Sequence, residues 1–252
     1  IAMVFQGAMN ALNPVFKVGD QVAEALIYHE GISREEAFEV VRELFLEVGL
    51  DPARMNDYPH QLSGGMKQRV VIAMAISMNP SLLICDEPTT ALDVTIQAQI
   101  IDLLKKLQRR YGMSMIYISH DLAVVAELSD KVCVMYAGYI VEEGDVVSIY
   151  KHPIHPYTKG LIAAVPSPQK IEERRVVAIP GSPPDLRFLP KGCPFADRCP
   201  FRRDVCVEKL PEYHIIEGRR VFCHFAEDLA DLDPYEAWGE YWEKIEFGEA
   251  LA

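Results

Sequence analysis

Three short segments of this sequence carry residue types whose order and spacing suit chemistry on a bound anion. The first, Ser81-Leu-Leu-Ile-Cys-Asp86-Glu87, is an apolar run ended by two adjacent carboxylates. If the run is a strand of a parallel sheet, the acids stand at the carboxyl edge, where such sheets bind ligands. One carboxylate can hold a Mg²⁺ ion through its water, and the next can orient or deprotonate an attacking water. A strand end that is merely acidic has the same pattern. The second segment, Leu62-Ser63-Gly64-Gly65-Met66-Lys67-Gln68-Arg69, puts two glycines directly before a helical run. Without Cβ atoms there, backbone N–H groups can approach an anion at the helix N-terminus, although glycine-containing helix starts are common. The third, Ser119-His120-Asp121, places a histidine after another strand-like run, where it can reach a terminal phosphate or serve only structure.

The elements that must position these residues are legible from periodicity. Ile1 to Phe5 reads as a buried strand end, and Gly7 to Phe16 as a loop closing near Asn13-Pro14. Ser33 to Val48 is a helix, with Ser33 and Glu36 as a capping box and Ala37, Val40, Val41, Leu44 and Val48 at helical spacing. Met66 to Met78 is a buried helix, Ser81 to Cys85 a strand, and Thr95 to Tyr111 an amphipathic helix stopped by Gly112. Met113 to Ser119, Leu122 to Leu128 and Val132 to Tyr136 then read as strand, helix and strand. Strands alternating with helices imply a parallel, doubly wound α/β sheet. Near Lys151 prolines crowd in and a loop-rich appendage begins. At the far end Tyr235, Trp238, Trp242 and Ile245 share a helical face, which predicts a docked helix.

Composition limits the function classes. The 252 residues are 50% hydrophobic and 25% charged, an ordinary globular balance. The net charge is −12, and residues 226–252 hold nine acids and one Lys, so most of the excess lies in that tail. Such a chain is a poor nonspecific binder of nucleic acid or anionic lipid. No stretch reaches the ~20 apolar residues of a membrane span. The uncharged first 16 residues lack the basic start of a signal peptide and are broken by Gln6, Asn10, Asn13 and Pro14.

Taken in order, Gln6, Leu62–Arg69, Asp86-Glu87, Ala91-Leu92-Asp93 and His120 resemble the nucleotide-binding subunit of ATP-binding-cassette (ABC) transporters. The resemblance implies a P-loop NTPase (RecA-like) core with the ABC helical subdomain. By the same resemblance Leu62, Ser63, Gly64, Gly65 and Gln68 form the signature that binds the γ-phosphate of ATP held by the opposing subunit. Asp86 would serve Mg²⁺ together with Gln6 of the Q-loop, Glu87 would act on the attacking water, and Asp93 would belong to the D-loop. His120 and Gln6 would stand beside the γ-phosphate. Phe5-Gln6, Leu12-Asn13-Pro14, His155-Pro156-Tyr157-Thr158 and Gly181-Ser-Pro-Pro184 further resemble the oligopeptide and dipeptide importer branch. That branch implies a second ATPase subunit, homo- or heterodimeric, two membrane-spanning permease subunits, an extracellular solute-binding protein, no nucleic acid, and a peripheral place on the cytoplasmic face of the membrane. Oligosaccharide and nickel importers are alternatives within it. ATPases of DNA repair or chromosome maintenance carry a long insertion between Q-loop and signature, whereas Gln6 and Ser63 are only 57 positions apart here.

Cys193, Cys199, Cys206 and Cys223 cluster in the Pro-rich appendage. The zinc spacing C-x2–4-C is absent, and the alternatives are a [4Fe–4S] cluster, zinc, or free thiols and disulfides. Some members of the importer branch hold such an iron–sulfur cluster in a segment like this one, which favours the first. Arg198, Arg202, Arg203, Arg219 and Arg220 are available to offset its charge.

One departure from the family is large. No Gly-Lys pair occurs in the chain, so the phosphate-holding G-x-x-x-x-G-K-[ST] is missing. The expectation is an N-terminal truncation before the Q-loop and a fragment that does not form its own half of the ATP site. Residues 1–150 are expected to be the ATPase domain, with a helical subdomain over about 7–80 and the rest of the core over 81–150. Residues 151–252 are expected to be the importer-type appendage with its acidic tail.

Overall fold

The computed structural model describes residues 1–7, 11–165, 178–236 and 238–239. Trp242 and Ile245 of the expected C-terminal helix lie outside the described residues. The chain divides into two compact units, Ile1–Leu128 and Ser129–Ala252.

The first unit is built on three parallel strands in the order β1 (Ala2–Val4), β2 (Leu82–Asp86), β3 (Ser114–Ile118). Val4 pairs with Cys85, and Asp86 with Ile118, so all three strands end at one edge. Between β1 and β2 run α1 (Val18–Glu30), α2 (Arg34–Glu47) and α3 (Gly64–Ile76). Ser33 caps α2 and Glu36 closes the reciprocal bond, as the sequence predicts. The helix α1 went unread because Lys17 supplies no side-chain cap, although Val18, Val22, Ala23 and Leu26 form its buried stripe. The helix α4 (Val94–Tyr111) buries Ile100, Leu103, Leu104 and Leu107 and stops where Gly112 takes φ 60°. That left-handed cap is the glycine's use here. α5 (Leu122–Leu128) closes the unit. One core joins these elements, with Val4, Leu83 and Cys85 of the sheet packed among Val41, Phe45, Val70, Ile72 and Leu104. Ile116 and Ile118 of β3 remain exposed.

The second unit is a four-stranded sheet in the order β4 (Lys131–Tyr136), β5 (Tyr139–Asp145), β7 (Arg219–Phe222), β6 (Tyr213–Ile216), antiparallel throughout. The strand over 132–136 therefore pairs antiparallel with β5, which in turn pairs with β7, and is not a further parallel strand. Both hairpins turn on a residue pair with positive φ, Ala137-Gly138 and Glu217-Gly218, which suits the twist of the flanking strands. The two compact units part at Leu128 and Ser129, and β5 is paired to β7 within the second. α6 (Val146–Lys151), α7 (Pro156–Ala163), α8 (Asp204–Glu208) and α9 (Ala226–Leu229) complete the unit.

Buried charge is concentrated beside α7. Glu142 is fully buried and accepts the backbone N–H groups of Ile154 and His155, each at 2.9 Å. Burial still raises its pKa. The Arg219 guanidinium lies 4.0 Å from it and donates to the His152 carbonyl. Lys159 is equally buried, donates to the Leu232 carbonyl, and is lowered by burial to about 8. His155 caps α7 by accepting the Tyr157 N–H at 3.1 Å, and Pro156 follows at the first helical position. Trp238 is buried and donates its indole N–H to the Pro156 carbonyl at 3.1 Å.

Candidate active site

The shared carboxyl edge of β1, β2 and β3 brings together Gln6, Glu87 and His120. Gln6 lies two residues past β1, Glu87 directly follows β2, and His120 lies two past β3. Parallel register makes those three ends neighbours, although 81 positions separate Gln6 from Glu87. The Glu87 backbone N–H donates to the Ile118 carbonyl at 3.0 Å, tying the acid to the end of β3.

The Glu87 carboxylate is fully engaged. Gln6 Nε2 donates to Oε2 at 2.8 Å, and Thr90 Oγ1 donates to the same oxygen at 2.8 Å. His120 Nδ1 lies 3.0 Å from Oε1. These bonds, His120 first and then Thr90, hold the carboxyl below its ordinary range. Conversely, the carboxylate raises the pKa of His120. Thr90 was not singled out by sequence reasoning. Its signal was a hydroxyl three residues beyond an acid across a proline-led turn, which brings the two side chains within reach of each other.

Asp86 ends β2 half-buried, opposite Ile118. Asp93 accepts the Ile96 N–H at 3.0 Å and caps α4, so this aspartate starts a helix. The signature residues divide in two. Ser63 is exposed and caps α3 through the Met66 N–H, while Leu62 and Gln68 are buried. Gln68 Nε2 has no partner among the described residues. Gly64 and Gly65 open α3, and first-turn N–H groups have no intrahelical acceptor. They therefore suit an anion, but Gly65 has a second reason to be glycine. A Cβ there would meet Ile96 Cγ2 at 2.7 Å. The structure assembles the carboxylate cluster, and no hydrogen bond among the described residues joins Ser63–Gly65 to Gln6, Glu87 or His120.

A nucleotide is suited by these two parts unequally. Asp86 and Glu87 present oxygen at the sheet edge, the ligand type a Mg²⁺ ion takes. The Gly-Lys cradle for β- and γ-phosphates is absent from the 252 residues.

The four late cysteines do converge. Cys193 N–H donates to the Cys206 carbonyl at 2.7 Å. Burial pushes the Cys193 thiol up to about 11 and Cys223 to about 12, and raises Cys199 as well. Cys199 and Cys223 are raised further by one or more of the other thiols of the set. Yet no three His, Cys, Asp or Glu side chains among the described residues are disposed to hold a metal ion. All four are free cysteines, Cys206 buried and the other three half-buried.

A parallel sheet whose carboxyl edge gathers a glutamine, an acid pair and a histidine, in a chain that also carries a Ser-Gly-Gly helix start, defines the ATPase class of ABC proteins. Residues 1–90 match the ABC transporter family, and residues 141–206 match the C-terminal region of oligopeptide/dipeptide transporters. The chain is 52% identical over 218 residues to a putative peptide import ATP-binding protein of Brucella ovis, covering 84% of this chain and 64% of that protein. It is 48% identical over 235 residues to a probable peptide ABC transporter ATP-binding protein of Sinorhizobium fredii, covering 92% and 70%. A solved ATP-binding cassette, MJ0796, dimeric in a post-hydrolysis state with ADP and Pi, superposes with a TM-score of 0.51 at 32% identity over 57% of this chain and 62% of that one. This chain belongs to the ABC transporter ATP-binding proteins, in the branch that carries the oligopeptide/dipeptide C-terminal region. It spans just under two thirds of the Brucella relative. No helix among the described residues is long and apolar enough to cross a membrane.

Proposed function

We propose that this chain works in the ATP-hydrolysing subunit of an importer of peptides. The observation that carries the reading is the Glu87 carboxylate, held at the sheet edge by Gln6, Thr90 and His120. In this reading Glu87 orients and deprotonates the attacking water, Asp86 and Gln6 serve Mg²⁺, and His120 and Gln6 turn to the γ-phosphate when ATP arrives. Ser63, Gly64 and Gly65 bind the γ-phosphate of ATP held by a second ATPase subunit, with Leu62 and Gln68 seating that helix start from the core and Asp93 in the D-loop. The partners are that second subunit, homo- or heterodimeric, two membrane-spanning permeases and, through them, an extracellular solute-binding protein. Nucleic acid is not among them. The place is peripheral, on the cytoplasmic face of the membrane. Residues 151–252 form the importer-type appendage.

We read Cys193, Cys199, Cys206 and Cys223 as ligands of a [4Fe–4S] cluster, with zinc as the alternative. Their convergence supports this, and binding would require the thiols to ionise and turn toward one centre. Iron analysis of anaerobically purified protein tests it. About four irons per chain are expected, whereas one zinc without iron supports the alternative, and free thiols without metal remove the assignment.

Cargo is tested by uptake. Proteoliposomes holding the complete importer should take up labelled peptide in the presence of ATP and lose uptake with Glu87→Gln. Uptake of an oligosaccharide or of nickel instead of peptide transfers the chain to the alternative cargo.

A further inference from the structure

Thr90 stands out because neither its residue type nor its position places it on a nucleotide. Its hydroxyl donates to Glu87 Oε2 at 2.8 Å, and its backbone N–H donates to the Glu87 carbonyl at 3.2 Å. Glu87 itself has φ 43°, and Ala91, directly after Thr90, has φ 65°. Non-glycine residues seldom adopt this region, and they persist there when surrounding bonds over-determine them. The turn is braced twice more. Leu92 N–H donates to the Thr89 carbonyl at 3.2 Å, and the Thr89 hydroxyl lies 3.4 Å from the Tyr117 hydroxyl.

The three groups on the carboxylate differ in where they come from. Gln6 belongs to the end of β1 and His120 to the loop after β3, while Thr90 belongs to the same turn as Glu87. We infer that Thr90 is a positioning residue for Glu87, the one donor that keeps the carboxylate aimed when Gln6 and His120 leave it for the nucleotide. This rests on the ATPase reading above. Thr90 also directly precedes Ala91-Leu92-Asp93, so its hydroxyl links the start of that segment to the carboxylate.

Two measurements test it. In the 252-residue chain, at fixed pH, the Gln6 side-chain amide and His120 ring resonances are recorded by NMR for wild type, Thr90→Val, Thr90→Ser and Glu87→Gln. Thr90→Val keeps the shape and loses the donor, so both sets should move toward those of Glu87→Gln, and Thr90→Ser should keep them at wild type. Wild-type resonances in Thr90→Val, or no rescue by Ser, overturn the inference. In the assembled ATP-hydrolysing complex, Thr90→Val should lower kcat by ~10- to 100-fold, the scale of a displaced reacting group, with KM for ATP unchanged. An unchanged kcat also overturns it. If Glu87→Gln itself turns over normally, the ATPase reading fails, and the NMR comparison still decides whether Thr90 holds Glu87.

Discussion

His155 offers the most quantitative test of the second unit. The residue is 1% exposed, and burial lowers its imidazole from an ordinary 6.5 to about 3. Nδ1 accepts the Tyr157 N–H, so protonation there would also remove the α7 cap. With the native pKa depressed, the unfolded chain binds a proton below pH 6.5 that the native chain refuses. The stabilisation is therefore complete above pH 6.5 and is lost as pH falls toward the native value. The slope is about 1.4 kcal/mol per pH unit, so about 2 kcal/mol is lost by pH 5 and about 4–5 kcal/mol over the whole range. That is a large share of the ~5–15 kcal/mol that holds a typical domain. Glu142, whose pKa is raised, acts in the opposite sense and gains a proton first in the native state. His155→Asn separates the two, because asparagine keeps a capping oxygen and does not titrate in this range. Urea unfolding followed by tryptophan fluorescence reports this unit, since Trp238 is buried in it. The stability advantage of wild type over His155→Asn should shrink by about 2 kcal/mol between pH 7 and pH 5. Parallel curves for the two proteins would refute the buried neutral histidine.

Other outcomes follow from single contacts. The His120 midpoint, measured by NMR, should lie above 6.5 in wild type and fall toward it in Glu87→Gln, since the carboxylate is what raises it; an unmoved midpoint separates the two side chains in solution. Gly192→Ala should disorder the cysteine segment, because a Cβ there meets the Cys206 carbonyl oxygen at 2.2 Å and the Val207 oxygen at 2.5 Å; native thermal unfolding in that variant contradicts the packing. Trp238→Ala should destabilise the second unit by about 3–5 kcal/mol, seen as a lower urea midpoint. The 252-residue chain by itself should release no phosphate from Mg-ATP, because it holds no Gly-Lys phosphate cradle; turnover abolished by Glu87→Gln in that material would contradict this.

Local signals were read well and long-range pairings were not. The Ser33–Glu36 box, the Gly112 stop and the buried run of α3 each act within a few residues, so these helices were legible, whereas α1, without a side-chain cap, was not. The ends of β1, β2 and β3 were legible too, and parallel pairing made Gln6, Glu87 and His120 neighbours. The β5–β7 pairing joins Glu142 to Val221, far apart in sequence, so the second sheet could not be read. The Ala137-Gly138 and Glu217-Gly218 turns were available as hairpin signals and went unused. Gly65 opens α3 and also makes a close approach to Ile96, a cause for glycine that the local sequence does not carry. The cysteine spacing suggested a shared site, but it does not determine side-chain directions, and in the structure the thiols converge without forming a ligand set.

The central claim is that Glu87 acts on the water that attacks ATP. Its most direct test is phosphate release from Mg-ATP by the assembled transporter carrying either wild-type chain or Glu87→Gln. Loss of a general base lowers the rate by ~10²–10⁴ while nucleotide binding is retained, because other groups hold the phosphates. Binding kept and turnover lost in that proportion is the predicted result; turnover near the wild-type rate would contradict the account.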